Sequence, residues 1–444
     1  MANQFLNAQE YANVMLLLLK NQLVFGKLVD GQYKDQVTDE NGLTISVKRP
    51  PRFVDKKNGT SAALALQDIL TGAATVKVDQ YSKVHISVGD IEYVSSYNAL
   101  MQNETMKSAA STLAHSIDMF VAQQTMKFPS WLAGGAPGVG GSNAIVGTTP
   151  ISNQAHLQGA HTRLMDQGVP DVDLSGVVSF SDREQVAGAL PAAYLPGDIN
   201  RPALERQRLP VIGSIDWYAT QQIPSFTTGT RPQGDGSSTG AQVDGANQNV
   251  NYRTVKGSAG VDGMTQTLNL KGLTTTTLKA GDVFTIAGVY AYDWRAQQAL
   301  PYLQQFTILA DVTAAGGNAA VTISPPIIVP GTNDGTSTDA NTAFGTVNSI
   351  PGDSAYVRFV GAPSTVMRVK SAFHKRAISL VSARLHMPFT GVASMATDPQ
   401  TGIAIRYWRG SDISTGAHIH RWDAIYGAAV MDPYLGTRVC GPNS

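Results

Sequence analysis

The chain has 444 residues, 43% hydrophobic and only 15% charged, with 43 Gly and 22 Pro, a composition that describes a globular, turn-rich protein long enough for two to four folded units at roughly 100 to 200 residues each. Lys plus Arg and Asp plus Glu both number 33, so no field of one sign is available to hold a polyanion or an anionic membrane, and tight generic nucleic-acid binding is disfavoured. The single cysteine, Cys440, rules out an internal disulfide framework and a Cys-rich metal site and is compatible with a reducing cytoplasm.

The longest apolar run, residues 14–19, falls far short of the ~20 residues needed to cross a bilayer. The first ten residues carry Glu10 and no Lys or Arg, so neither a transmembrane helix nor a signal peptide is expected and the protein reads as one made and used inside a cell. Over residues 3–27, Phe5, Ala8, Ala12, Met15, Leu19 and Leu23 recur at helical spacing, which predicts an amphipathic helix serving either as an arm or as a helix docked on its own domain. Three strands are expected next, at 43–47, 75–78 and 84–88. Between the first two lies the basic stretch Lys48, Arg49, Arg52, Lys56, Lys57, interrupted by Pro50 and Pro51. Adjacent prolines cannot donate to a sheet ladder, so this section reads as an extended projection. Residues 98–128 carry Met106, Ala110, Leu113, Ile117, Phe120 and Gln124 at 3–4 spacing and end at Pro129, which predicts a spine helix on the order of 46 Å long.

The Gly-rich stretch 134–141 (GGAPGVGG) follows a helix and lacks the Lys-Ser/Thr of a phosphate loop, so it reads as a flexible connection. An α/β-like block follows, with a helix at 155–167, a strand at 176–180 and a helix at 182–190 capped by Ser181. Residues 229–352 are dense in Gly, Thr, Asn and Asp, with short β-rich runs at 265–270, 283–289, 306–309 and 320–323. They suggest a small β-barrel or sandwich inserted into a body that resumes near residue 353. The polar stretch 243–264, with Gly245, Gly257, Gly260 and Gly263, reads as an exposed loop of that block. Asp244 and Asp262 lie within it, as Lys48, Arg49, Arg52, Lys56 and Lys57 lie in the basic projection.

Asp171, Asp173, Ser175, Gly176, Val178 and Asp182 follow a calcium-loop pattern, but the twelfth position is Asp rather than Glu and a strand runs through the match, so an Asp- and Ser-rich turn is the preferred reading. His418 and His420 stand at i and i+2, where both can face one side of a strand, and surface or packed imidazoles are the preferred account. Neither a G-x-S-x-G elbow nor an H-E-x-x-H pair occurs, so no catalytic, cofactor-binding or metal residue is assigned.

Residues 278–289 (LKAGDVFTIAGV), residues 373–380 (FHKRAISL) running on to Pro388, and Asp412-Ile-Ser-Thr followed by residues 421–439 with Ala424-Ile-Tyr-Gly427 resemble in order and spacing the major coat proteins of tailed bacteriophages, in the branch typified by the short-tailed Salmonella phage coat protein. The resemblance implies an α+β capsid fold of the Hong Kong ninety-seven type. Its parts would be an N-terminal arm (1–28), an extended loop and peripheral-domain strands (29–95), a spine helix and peripheral domain (96–150), a first axial part (151–228), an inserted β-barrel (229–352), and a second axial part with the return to the peripheral domain (353–444). It further implies a homo-oligomer of pentamers and hexamers forming an icosahedral shell around double-stranded DNA without sequence-specific binding, with Lys48, Arg49, Arg52, Lys56, Lys57, Asp244 and Asp262 as candidate intersubunit contacts. A separate scaffolding protein and a portal would be partners, with no membrane, cofactor or enzymatic activity, and the product would be a virion capsid assembled in the host cytoplasm. A tail-tube or fibre component is the competing reading; it would share the Gly/Thr-rich β block without needing the spine or the projection.

Overall fold

A computed structural model describes residues 8–33, 43–49, 51–53, 73–89, 104–133, 151–193, 209–232, 240–245, 264–274, 276–330, 343–412 and 416–440. The chain divides into two α+β units. One comprises Met1–Val47, Thr75–Gln124 and Ile378–Ala429, and the other Lys48–Ala74, Thr125–Ala377 and Val430–Ser444.

In the first unit, antiparallel strands Gln80–Gly89 and Ala404–Asp412 flank Ala417–Val430, with Val392–Thr397 and Ile378–Ala383 completing a five-stranded sheet. Side chains alternate across a strand, so His420, Trp422, Ala424 and Tyr426 share one buried face. The opposite face carries Asp423, clamped by Arg406 at 2.5 Å and Arg421 at 2.6 Å. Helices cover the apolar face: α1 (Ala8–Gln22), the short α2 (Phe25–Leu28) and α3 (Glu104–Gln124). Tyr11 of α1 packs on Tyr407 at 5.4 Å between ring centroids, and Phe120 of α3 meets Tyr426 edge-on at 5.6 Å. The helix expected over 3–27 therefore breaks at Leu23–Val24, and its residues 8–28 dock on their own unit. On α3, Met106, Ala110, Leu113, Ile117 and Gln124 of the expected stripe are buried and Phe120 is half-buried, while Val121 adds a buried position the spacing did not include. The helix stops at Gln124 and tightens into a 3-10 turn at Thr125–Lys127. Its 21 residues span about 32 Å; residues 98–103 of the expected spine lie outside the described residues.

Gly427 of the Ala-Ile-Tyr-Gly motif sits where a Cβ would lie 2.0 Å from the Lys77 carbonyl oxygen. Backbone cannot yield as a flexible side chain does. Gly427→Ala is expected to destabilise this unit by roughly 1–3 kcal/mol, read as a lower urea midpoint by tryptophan fluorescence. An unchanged midpoint would contradict that account.

The second unit holds a five-stranded mixed sheet in the order Ser130–Ala133, Gly436–Cys440, Lys370–His374, Leu174–Val178, Asp216–Ala219, parallel at both edges and antiparallel within. Strands Lys370–His374 and Gly436–Cys440 are buried at every position, as expected of strands covered on both faces. Helices α4 (Gln154–Asp166) and α5 (Phe180–Ala193) contribute Leu157, Ala160, Leu164, Val186 and Ala187 to its core. The cap of α5 is Ser179 rather than Ser181. Ser179 N–H donates to Asp182 Oδ2 at 3.0 Å while Asp182 N–H donates to Ser179 Oγ at 3.3 Å, a reciprocal capping box that starts the helix two residues before the expected position.

The Gly/Thr-rich block of this unit folds into a six-stranded sheet in the order Val357–Phe359, Val283–Asp293, Gln298–Ile308, Ala319–Ser324, Gln266–Lys271, Gln242–Val243. A bridge between Gln242 and Tyr356, with Val243 N–H to Ala355 O and Val357 N–H to Ala241 O, both 2.9 Å, joins the two edges into a barrel. All four expected β runs are strands. Leu268, Leu270, Phe284, Ile286, Phe306, Ile308, Val321 and Ile323 fill the interior, each fully buried, at about 1.5–3 kcal/mol apiece relative to exposure. The closing strand, Val357–Phe359, lies beyond residue 352. Outside the barrel, the ingoing strand Ser225–Thr227 pairs antiparallel with the outgoing strand Val366–Arg368.

Candidate assembly elements and their anchors

Lys48 ends strand Thr44–Lys48, which pairs with Ala73–Lys77, so the chain leaves and returns at one two-stranded stem. Two of the basic residues proposed as intersubunit contacts are engaged within the chain. Arg49 Nε donates to Met431 O at 2.7 Å. The Arg52 guanidinium lies 3.8 Å from Asp432, 4.8 Å above the Trp294 ring and 5.6 Å from Phe344. The physical reason is local: acceptors of the 431–432 turn and aromatic faces of the barrel lie within reach of these long side chains, and a stacked guanidinium is weakly hydrated. Lys56, Lys57 and Asp262 lie outside the described residues.

Asp244 stands at the end of strand Gln242–Val243, its N–H bonded to Asn269 O at 3.0 Å. The next residue, Gly245, donates to Asp353 Oδ1 at 2.9 Å, and Lys271 Nζ donates to the same oxygen at 2.7 Å. These bonds, the Lys271 one foremost, hold the Asp353 carboxyl down at about 2. The start of the polar stretch 243–264 is thus tied to the barrel rim.

At the barrel's base Asp282 follows Gly281, whose φ of +99° is the left-handed conformation that favours glycine. The Asp282 carboxylate is fully buried and accepts from Arg231 Nη1 at 2.7 Å, Lys279 N–H at 2.9 Å and Gly229 N–H at 3.2 Å. Arg231 also donates to the Val360 and Gly361 carbonyls at 2.6 and 3.0 Å, so one buried pair ties the ingoing chain, the barrel and the outgoing chain together. Burial pulls the Arg231 guanidinium below its usual range, opposed by Asp282.

A second buried cation, Arg438, donates to Gly281 O at 2.7 Å, to Met126 O and to Thr307 Oγ1, with its guanidinium 5.2 Å above Trp131. Burial lowers it to about 9. Trp131 Nε1 in turn donates to Cys440 Sγ, and burial pushes that thiol up to about 12. Cys440 is therefore a packed, unreactive thiol.

Two carboxylates of the calcium-loop pattern serve other partners. Asp171 pairs with His161 at 3.2 Å, while Asp182 caps α5, accepts from Ile151 N–H at 2.7 Å and pairs with Lys370 at 3.1 Å. His420 is buried against Tyr407, whose hydroxyl lies 2.7 Å from Nδ1. No group of three or more His, Cys, Asp or Glu among the described residues is placed to hold a metal ion. No helix among them is long and apolar enough to cross a membrane. The anchors Arg231, Asp282 and Arg438 are not legible in the sequence; the one available signal is the Gly-Asp turn ahead of the apolar run at 283–289.

The family profile described as P22 coat protein, gene protein 5, matches residues 1–441 of this chain. The chain belongs to the P22 coat protein family. Among solved structures, the coat protein is similar to a Mycobacterium phage Che8 chain (11% identity, TM-score 0.42, covering 99% of this chain and 93% of that one) and to a capsid chain of the cyanophage P-SCSP1u (11% identity, TM-score 0.41, 100% and 92%). It is also similar to the CUS-3 coat protein I-domain (24% identity, TM-score 0.21, 28% of this chain and 99% of that one). A search of curated protein sequences finds no match.

Proposed function

We propose that the protein is the major capsid protein of a tailed bacteriophage, self-assembling as pentamers and hexamers into an icosahedral shell around double-stranded DNA. The observation that carries this reading is the family match over residues 1–441. A balanced formal charge lets many identical copies approach without net mutual repulsion and gives the shell no net basic field to hold the enclosed DNA. A lattice gains its stability by repeating modest contacts, which suits exposed connections more than one large interface.

In this reading the chain has no catalytic role, a separate scaffolding protein and a portal take part in assembly, and the product is the virion capsid formed in the host cytoplasm. Residues 1–28, 29–95, 96–150, 151–228 and the chain from residue 360 onward divide the work of arm, loop, spine and axial body. The inserted barrel extends to Phe359, because its closing strand is there. Lys48, Arg49, Arg52, Lys56, Lys57, Asp244 and Asp262 remain the proposed intersubunit contacts. Arg49 and Arg52 also hold the foot of the extended loop to their own chain.

Negative-stain microscopy of the protein co-expressed with a scaffolding protein tests this reading. Closed shells of uniform diameter are the expected result. Tubes or fibres would favour the tail-component reading and refute the capsid one.

A further inference from the structure

Between strands Ile378–Ala383 and Val392–Thr397 of the first unit, residues 384–391 (RLHMPFTG) form a loop. Phe389 on it is 97% exposed, more than any other large apolar side chain among the described residues. Met387 and Val392 are exposed beside it in the sequence, and Ile419 and Tyr81 are exposed on strands Ala417–Val430 and Gln80–Gly89 of the same sheet. Single exposed apolar residues are ordinary on a protein surface, whereas a group of them around one aromatic marks a contact surface.

The loop is braced from beneath. Arg406 Nη1 donates to His386 O at 2.6 Å and Trp408 Nε1 to Thr390 O at 3.0 Å. Arg406 also clamps Asp423, so the loop crosses the sheet face opposite the helices. Gly391 fits against Arg409 O, where a Cβ would lie 2.5 Å away, and Pro388 fixes one backbone torsion. The Phe389 ring leans on His386, 5.4 Å between centroids, and otherwise faces outward. An aromatic presented on backbone that is already ordered loses little freedom on binding, which is the property of an interface anchor.

The surroundings narrow the partner. Residues 384–391 contribute Arg384 and His386 and no acidic residue. The carboxylate that Arg406 reaches, Asp423, is fully buried and shared with Arg421. An apolar centre with a thin cationic collar suits a protein surface better than a polyanion, which is gripped by a broad basic field. The chain carries 33 cationic and 33 acidic residues, so a local excess of cations leaves an excess of carboxylates elsewhere on the same chain, and a second copy offers the complement. We propose that Phe389 is an intersubunit anchor, buried with Met387 and Val392 against a neighbouring copy in the shell. The contact rests on the capsid reading and adds a surface outside the candidate contacts of the projection and the barrel.

In shells carrying the photoreactive residue p-benzoylphenylalanine at position 389, illumination is expected to give a band at two-subunit mass whose crosslinked peptide joins residue 389 to a second copy. Monomer mass alone, a crosslink within one chain, or one to the co-expressed scaffolding protein overturns the proposal. Phe389→Asp gives a second readout. Its urea midpoint should match wild type, because the fold does not use this ring, while shell yield falls by about tenfold or more; Phe389→Leu, which keeps an apolar side chain, should retain shells. A lowered midpoint, or a wild-type shell yield from Phe389→Asp, also overturns it. Wild-type chains prepared in parallel keep the two questions apart, since their failure to form shells would refute the capsid reading and this contact with it.

Discussion

Asp282→Ala is expected to cost the protein about 3–5 kcal/mol of stability, the usual consequence of leaving a buried charge unpaired. Arg231 is 1% exposed and would keep its charge with no carboxylate beside it, while the N–H groups of Gly229 and Lys279 would lose their acceptor as well. The burden falls on the crossing of the ingoing and outgoing chains, so the variant should show a lower urea midpoint together with loss of soluble subunit. Because the penalty arises from an orphaned charge and not from the lost attraction itself, the double variant Arg231→Met/Asp282→Leu should recover much of the deficit. A single variant that unfolds like the wild type, or a double variant worse than the sum of the singles, would show that the pair does not hold the base of the barrel.

The other large effect concerns pH, and it requires two residues of the first unit to be considered together. Burial lowers His420 to about 4, helped by Arg409 and His418, so the folded state keeps it neutral while the unfolded chain takes up a proton near 6.5. Its contribution is complete above about pH 6.5 and is lost as pH falls toward 4, by about 3 kcal/mol. Asp118 acts in the opposite direction. Burial raises it to about 6 against the N–H groups of Val24 at 2.7 Å and Gly26 at 2.9 Å. The fold then binds a proton before the unfolded chain does, and stability rises by about 3 kcal/mol as pH falls from 6 to the unfolded value.

The two slopes cancel in the wild type and separate in variants. Between pH 7 and 4, His420→Gln should gain stability relative to wild type by about 3 kcal/mol, and Asp118→Asn should lose a similar amount. Urea unfolding at each pH measures both differences, and differences that stay flat across the range would sink both assignments.

What the sequence made legible followed simple periods. The α3 stripe, the strands of the barrel and helix α4 each carry their burial in a 3.6- or 2-residue repeat that needs no partner to be read. The boundaries failed where tertiary bonds set them. Helix α5 starts at Phe180 because Asp182 and Ser179 cap one another. The barrel hairpin runs to Asp293 and resumes at Gln298, past the expected strand ends, with register shifts between Thr285 and Tyr292 that break the alternation. Arg49 and Arg52 look like surface charges in a basic run, and only the fold brings Met431, Asp432 and Trp294 to them. Buried Arg163, Arg231 and Arg438 were illegible for the same reason: composition places arginine outside, and their acceptors come from segments between about 30 and 310 residues away.

The paired strands Ser225–Thr227 and Val366–Arg368 bring the two crossing points of the chain side by side, with Thr228 N–H on Thr365 O at 3.0 Å and Ser364 N–H on Gly229 O at 3.1 Å. A tight turn could reseal that stem, so connectivity alone would let the whole cassette be exchanged or deleted, as a module is swapped between related genes. Chemistry sets the terms of the exchange. Arg438 of the body directs its guanidinium at Gly281 O and Thr307 Oγ1, both inside the cassette. Any replacement must therefore present two acceptors at the same seam or arrive with a neutral residue at position 438. Shells built from a chain lacking the cassette need that compensating change before they need a new loop.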